Sequence, residues 1–260
     1  MPHVKRHNGF QRPFTNDQIM SWIAEPTAAL FFYLIVGTFT FDEHRTALLA
    51  AYTTMLVVHL ACWLCCSLPD PSVDKGWYWP CMREAQRESR YCSVCAKHIP
   101  GLDHHCTWLN TCIGRRQYPA FFSLVTIGSA MFWFEAAVFI SLLTGGSSPR
   151  VQAEAVNVLG SLTTFRVLVS LAAVFAGLLA ISLSVLFCFH MFLQTTGLGT
   201  YAWMIDLRNR KQERKREKAK KEAKKNAVDE EAALPKKAEG TCTRTNEESS
   251  GNGMDVIATV

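Results

Sequence analysis

Four long apolar runs organise the chain: Pro26–Phe41, Thr46–Leu68, Phe121–Leu143 and Val167–Leu193. None carries proline at its centre, and their apolar residues fill the whole helical circumference instead of one stripe. A helix that is apolar all round is buried on every side, in a large core or in a membrane. Crossing a bilayer core of about 30 Å takes about 20 apolar residues. The last three runs reach that length, and the first is a little short. The pattern predicts an all-α integral membrane fold with four transmembrane helices, two within 26–68 and two within 121–193. Residues 69–120 form a separate domain between helices 2 and 3. The polar stretches are an N-terminus over 1–25, a basic juxtamembrane segment over 194–226 and a disordered tail over 227–260. The tail is poor in apolar residues and rich in Glu, Ser, Gly and Asn, a composition that buries too little to offset the entropy of ordering.

Composition agrees with this division. Residues are 49% apolar and 19% charged, below the roughly 25% charge of a soluble domain. The charge is clustered, with eleven Lys and Arg in 208–225. That cluster accounts for the net charge of +5 and points to anionic lipid or a topology signal, not to nucleic acid. Residues 1–25 lack the apolar core of a cleavable signal peptide. Of the basic residues, Lys5, Arg6, Arg12, the seven in 69–117 and the eleven in 208–225 fall on one side of the four spans. Only Arg45, Arg150 and Arg166 fall on the other. Basic residues stay on the cytosolic side, so both termini and the 69–117 loop are expected in the cytosol. All ten cysteines lie in spans or on that side, where they are thiols or metal ligands and not disulfides.

The chemistry concentrates in residues 91–122. Cys92 and Cys95 form a Cys-x-x-Cys knuckle that can grip a tetrahedral zinc ion, with His98, His104, His105, Cys106 and Cys112 downstream. A loop with no apolar periodicity needs another source of order, and structural zinc supplies about 10–16 kcal/mol in small units of this kind. Spacing alone leaves a plain zinc knuckle for protein contacts open. Asp103-His104-His105-Cys106 contains more Cys and His than one zinc needs. A thiol needs a base to become a nucleophile, and an imidazole oriented by a carboxylate is such a base.

This stretch resembles the DHHC family of protein S-acyltransferases, the palmitoyltransferases. Four spans with the cysteine-rich loop between the second and third match the family architecture. Asp70-Pro71-Ser72 resembles its Asp-Pro-Gly motif. Trp108, Asn110, Cys112, Gly114, Tyr118 and Phe121 fall in the continuation of the central motif, and Phe189 to Ala202 resembles the distal segment ending in Thr-Thr-x-Glu. The resemblance implies that Cys106 accepts the acyl group, with His104 as its base and Asp103 orienting that base. It implies one structural zinc held by Cys92, Cys95, His105 and Cys112. The donor is a long-chain acyl-CoA, palmitoyl by family, and the acceptors are cysteines of membrane-associated proteins. Golgi or another endomembrane is the expected location. A catalytically weak membrane scaffold, its zinc domain binding partners, is the alternative.

The family's second zinc site is degenerate: its positions read Tyr78, Cys81, Tyr91 and His98. Thr107 and Gln117 replace Pro and Asn, and Gly199 and Ala202 replace Thr and Glu. Arg115 and Arg116 are candidates for the phosphates of coenzyme A, with a positive-inside role equally open. Glu135, an acid inside the third span, is a functional candidate or, as favoured here, an acid snorkelling to the lumenal interface. His59 and His190 read as packed histidines, and Trp77, Tyr78 and Trp79 as an interfacial anchor. Cys62, Cys65 and Cys66 serve in packing or as lipidation sites.

Overall fold

The structure, a computed structural model, describes residues 5–40, 42–73, 88–144, 149–197 and 199–233. Helix α1 spans Asn16–Phe39 and α2 Asp42–Ser67. Two hairpins follow, β1 (Ser89–Cys92) with β2 (Lys97–Pro100) and β3 (His104–Cys106) with β4 (Thr111–Ile113). Then come α3 (Tyr118–Thr144), α4 (Pro149–Leu159), α5 (Leu162–Thr196) and α6 (Thr200–Ala233). Four helices are long and apolar enough to cross a membrane: Asn16–Phe39, His44–Ser67, Tyr118–Thr144 and Leu162–Thr196. The four-span architecture with a cysteine–histidine cluster between helices 2 and 3 is therefore present. The hairpins and α4 add to what the apolar runs indicate, because their strands and helix are too short or too polar to show as runs.

Helix α1 begins well before its apolar run. Thr15 caps it, its hydroxyl accepting the Gln18 N–H at 3.2 Å, and Asp17 in the first turn suits the helix dipole. Pro26 is carried inside the helix. At the other end of the bundle, Ser161 caps α5 and Gly197, at φ 80°, closes it in the left-handed conformation that glycine accepts without penalty.

Helix α3 packs against α5 and α2 and is the most buried span. On α5, Ala172, Ala176 and Ala180 recur every fourth residue and are buried, so the small side chains let the helices approach closely. Leu171, Val174, Leu178 and Val185 of the same helix stay exposed, as they would against lipid. Phe32 of α1 stacks on Tyr52 of α2 with ring centres 3.9 Å apart, and Phe139 and Phe165 complete this end of the core. Glu135 corrects an expectation. It is buried, 1% exposed, and does not snorkel: it sits on the α3 face turned towards α2, with the Tyr52 hydroxyl 3.5 Å from its carboxylate.

Residues 5–15 are not a free arm. Arg6 N–H bonds the Cys95 carbonyl at 3.3 Å, and the Asn110 amide donates to the Gln11 and Pro13 carbonyls at 3.1 and 3.2 Å. The Thr15 hydroxyl donates to the Thr107 carbonyl, and the Thr107 hydroxyl to the Asp17 carboxylate. A Cβ on Gly9 would sit 2.2 Å from the Leu109 carbonyl oxygen, so only glycine fits this approach. The segment straps the hairpin domain onto α1.

Residues 1–209 form one compact unit, and 210–260 a second. Helix α6 runs on to Ala233, past the basic segment expected to end at 226 and into the tail expected to be disordered; its residues 210–226 are exposed and rich in Lys, Arg and Glu. Trp77, Tyr78, Trp79, Cys81 and the tail from 234 lie outside the described residues.

Candidate active site and metal centre

The hairpin domain has few apolar side chains to hold it together. Its inner cluster is Cys92, Cys95, Ile99, Leu102 and Cys112. The polypeptide makes up the shortfall with a side-chain tetrad. Cys92 ends β1 and Cys95 lies in the turn of the first hairpin, while His105 and Cys112 are directly paired across the second. Their ligand atoms all lie within 4.8 Å of one another. His105 Nδ1 is 3.8, 3.4 and 3.5 Å from the sulfurs of Cys92, Cys95 and Cys112, and the Cys95 and Cys112 sulfurs are 3.4 Å apart. Zinc–sulfur bonds of about 2.3 Å in a tetrahedron require edges of about 3.8 Å. The spacing therefore fits a metal ion, and the donor set of three sulfurs and one imidazole fits zinc, with no position left for water. It is the one such group among the described residues.

The strand then sorts the neighbours. Successive side chains of β3 point to opposite faces. His105 turns towards the metal cluster, and His104 and Cys106 share the other face. His104 Nδ1 lies 2.9 Å from Asp103 Oδ2, and Cys106 is near enough to favour the charged form of the ring. Asp103 is 2% exposed, its backbone held by the Ile113 carbonyl at 2.9 Å. Burial alone would raise the Asp103 pKa and lower that of His104. The bond between them, joined by the other contacts and charges around each group, outweighs burial. It holds Asp103 below the ordinary carboxylate range and, with the Cys106 contact, pushes His104 up to about 9.

Sequence reasoning missed the groups that hold Asp103. The first residue of α6 supplies both: Thr200 N–H donates to Oδ1 at 2.8 Å and the Thr200 hydroxyl to Oδ2 at 2.7 Å. The carboxylate caps a helix N-terminus, a favourable place for an anion. Gly199 and Ala202 thus flank a threonine that makes the contact. His190 of α5 is buried, packs 6.0 Å from the His104 ring and lies 3.3 Å from the Tyr118 hydroxyl. Phe121 fills the space beside both imidazoles.

Cys106 opens on a cavity of about 370 Å³ between the helices, lined by Trp63, Trp108, Leu124, Val125, Leu183 and Leu186 among others. Arg115 and Arg116 are not part of that lining; they occupy the turn between β4 and α3. Cys66 is buried beside Cys106, whereas Cys65 is exposed. At two of the positions that the resemblance assigns to a second zinc site, Tyr91 and His98 are cross-strand partners with rings 5.2 Å apart. Asp70, after α2, accepts from Lys97 Nζ at 2.7 and 2.8 Å, lies 2.7 Å from His7 Nδ1, and takes the Ser72 N–H and hydroxyl. Burial would raise its pKa, but these bonds hold it well below the usual range. Ser72 closes this turn through its side chain.

A family model described as DHHC palmitoyltransferase matches residues 72–206, just over half of the chain. The chain belongs to the DHHC palmitoyltransferase family. Among curated proteins, it is 33% identical over 133 residues to probable protein S-acyltransferase 20 of Arabidopsis thaliana, covering 49% of this chain and 19% of that one. It is 31% identical over 138 residues to probable protein S-acyltransferase 15 of the same plant, covering 49% and 50%. It is 48% identical over 44 residues to palmitoyltransferase erf2 of Emericella nidulans, covering 17% and 7%. The chain spans at most half the length of these relatives.

Proposed function

We propose that the protein is a protein S-acyltransferase, taking a fatty acyl group, palmitoyl by family, from acyl-CoA to cysteines of membrane-associated proteins. The carrying observation is the Asp103–His104–Cys106 arrangement on the strand face opposite the metal cluster, with the thiol opening on an apolar cavity between the spans. In the first step His104 takes the Cys106 thiol proton, and the sulfur attacks the thioester carbonyl carbon. The bond to the coenzyme A sulfur breaks, and that sulfur leaves with the proton from His104. In the second step a substrate cysteine, deprotonated by the same imidazole, attacks the acyl-enzyme and Cys106 leaves. One thioester replaces another in each step, so no ATP is needed. Asp103 keeps His104 oriented and stabilises its charged form.

In this reading Cys92, Cys95, His105 and Cys112 hold one zinc ion that fixes the hairpins and takes no part in the reaction. The basic asymmetry supports cytosolic termini and a cytosolic site, and an endomembrane, Golgi included, is the proposed location. Arg115 and Arg116 remain proposed contacts for coenzyme A phosphates. The scaffold alternative drew on Gly199 and Ala202, and it loses ground because Thr200 between them keeps its bonds to Asp103. The test is to incubate purified protein with labelled palmitoyl-CoA. A hydroxylamine-sensitive adduct on Cys106 is expected; no adduct with intact, metal-bound protein refutes the reading.

A further inference from the structure

The turn next to the nucleophile is held from outside its own hairpin. Cys106 ends β3 and pairs with Thr111 of β4, so residues 107–110 make the turn between them. Asn110 closes it at φ 52°, a left-handed conformation that asparagine tolerates better than most residues. Thr107 opens it and is gripped twice: its carbonyl accepts from the Thr15 hydroxyl, and its own hydroxyl donates to Asp17 Oδ2. The Leu109 carbonyl lies against Gly9, and the Asn110 amide reaches the Gln11 and Pro13 carbonyls. Those two carbonyls are fixed in turn by the Arg6 guanidinium, at 2.8 and 2.9 Å. Thr15 and Asp17 are firm anchors, because Thr15 caps α1 and Asp17 stands in its first turn.

Residue 107 needs such anchors. Where the family pattern has proline, this chain has threonine. Proline fixes its own φ at about −65°. Threonine leaves φ free, so the backbone after Cys106 takes its direction from the bonds that Thr107 makes. The consequence falls on the thiol. Cys106 and Thr107 share one planar peptide unit, and a tilt of that unit swings the sulfur relative to His104 and to the mouth of the cavity. A misplacement of about 1 Å at a reacting atom can slow a reaction by about a hundredfold. Neither Asp17 nor Thr107 lines the cavity, so their effect reaches the acyl group only through the backbone.

We propose that Asp17 is a positioning residue for acyl transfer: through the Thr107 hydroxyl it fixes the residue next to Cys106 and so holds the thiol at His104. The proposal rests on the reading that Cys106 takes the acyl group. Thr15 restrains the same residue through its carbonyl. The start of α1 is thus part of the frame of the active site, and two side-chain bonds perform the task of a proline ring.

The test is single-turnover acylation of full-length protein in detergent, with labelled palmitoyl-CoA over a range of concentrations and bound metal measured alongside. Thr107 is exposed and Thr15 still grips its carbonyl, so the expected loss is moderate. Asp17→Ala is expected to lower the maximal rate about fivefold, with metal retained and the half-saturating donor concentration within twofold of wild type. Asp17→Asn, whose amide oxygen still accepts the Thr107 hydroxyl, is expected to recover most of the rate. Both variants remove the same charge from the first turn of α1, so the difference between them isolates the bond. Thr107→Pro supplies the restraint internally, and in that background Asp17→Ala is expected to change the rate by less than twofold. An Asp17→Ala maximal rate within twofold of wild type overturns the proposal and leaves the transferase reading in place. So does an Asp17→Asn rate as low as that of Ala, or a fivefold loss that persists beside Thr107→Pro. If Thr107→Pro fails to bind metal, the comparison of Asn with Ala decides alone. No adduct from wild type overturns both readings.

Discussion

Thr200 offers the sharpest test of how the site is held. Asp103 is a buried carboxylate with three donors: the Thr200 N–H at 2.8 Å, the Thr200 hydroxyl at 2.7 Å and His104 Nδ1 at 2.9 Å. Thr200→Val removes the hydroxyl bond and keeps the shape of the side chain and the backbone bond. A hydrogen bond to a charged group contributes about 1.5–3 kcal/mol, and about 1.4 kcal/mol is a tenfold change in rate. If the hydroxyl serves to fix the carboxylate under His104, acyl-enzyme formation slows by about ten- to a hundredfold. The assay is single-turnover labelling with acyl-CoA by rapid quench, with bound metal measured alongside to show that the hairpins are intact. Thr200→Ser restores the hydroxyl and is expected to recover most of the rate. A Thr200→Val rate within twofold of wild type refutes the reasoning. So does a Thr200→Ser rate as low as that of Val, because the loss then comes from packing and not from the bond.

Cys106→Ser should abolish the thioester adduct while retaining the metal, since that side chain faces away from the cluster; retained labelling would move the nucleophile elsewhere. Elemental analysis should find close to one zinc per chain, lost in Cys112→Ala and kept in Cys81→Ala, whereas a value near two would mean that Tyr91 and His98 do not close the second site. Asp70→Asn should lower thermal stability at neutral pH. Because its folded pKa is depressed, the Asp70 contribution is complete above about pH 4 and is lost as pH falls further. The melting-temperature gap between variant and wild type should therefore close in acid, and a gap independent of pH would exclude an ionic origin.

The apolar runs showed the spans because a helix in lipid must be apolar over a fixed length, a constraint written in consecutive residues. The Cys92–Cys95 knuckle was equally visible by type and spacing, whereas His105 and Cys112 were picked out as its partners by the family resemblance alone. The alternation that separates His104 from His105 needed the β3–β4 pairing, and three-residue strands are too short to be read as a period. Thr200 was out of reach for another reason: its partner Asp103 is distant in the chain, and nothing in Gly-Thr-Tyr-Ala marks a capping residue whose anion comes from elsewhere. Thr15 with Gln18 three positions on was a legible helix start, overshadowed by the apolar run that begins at Pro26. Glu135 was misread because depth in a span is visible in sequence and the face it turns to a neighbour is not.

The strap over the hairpin domain also sets an order of events. Besides their nearer partners, Gln11, Pro13 and Thr15 bond to Thr107 and Asn110, and Gly9 closes on Leu109, some ninety or more residues later. At synthesis rates of about 5–20 residues per second, these distant contacts form no sooner than roughly 5–20 s after the segment itself is made. Both α1 and α2 are made in that interval, as is the first hairpin. Closure of the strap thus follows the synthesis of both helices and of the hairpins up to Asn110. A protease that cuts near residue 10 would separate nascent chains that have passed that point from those that have not.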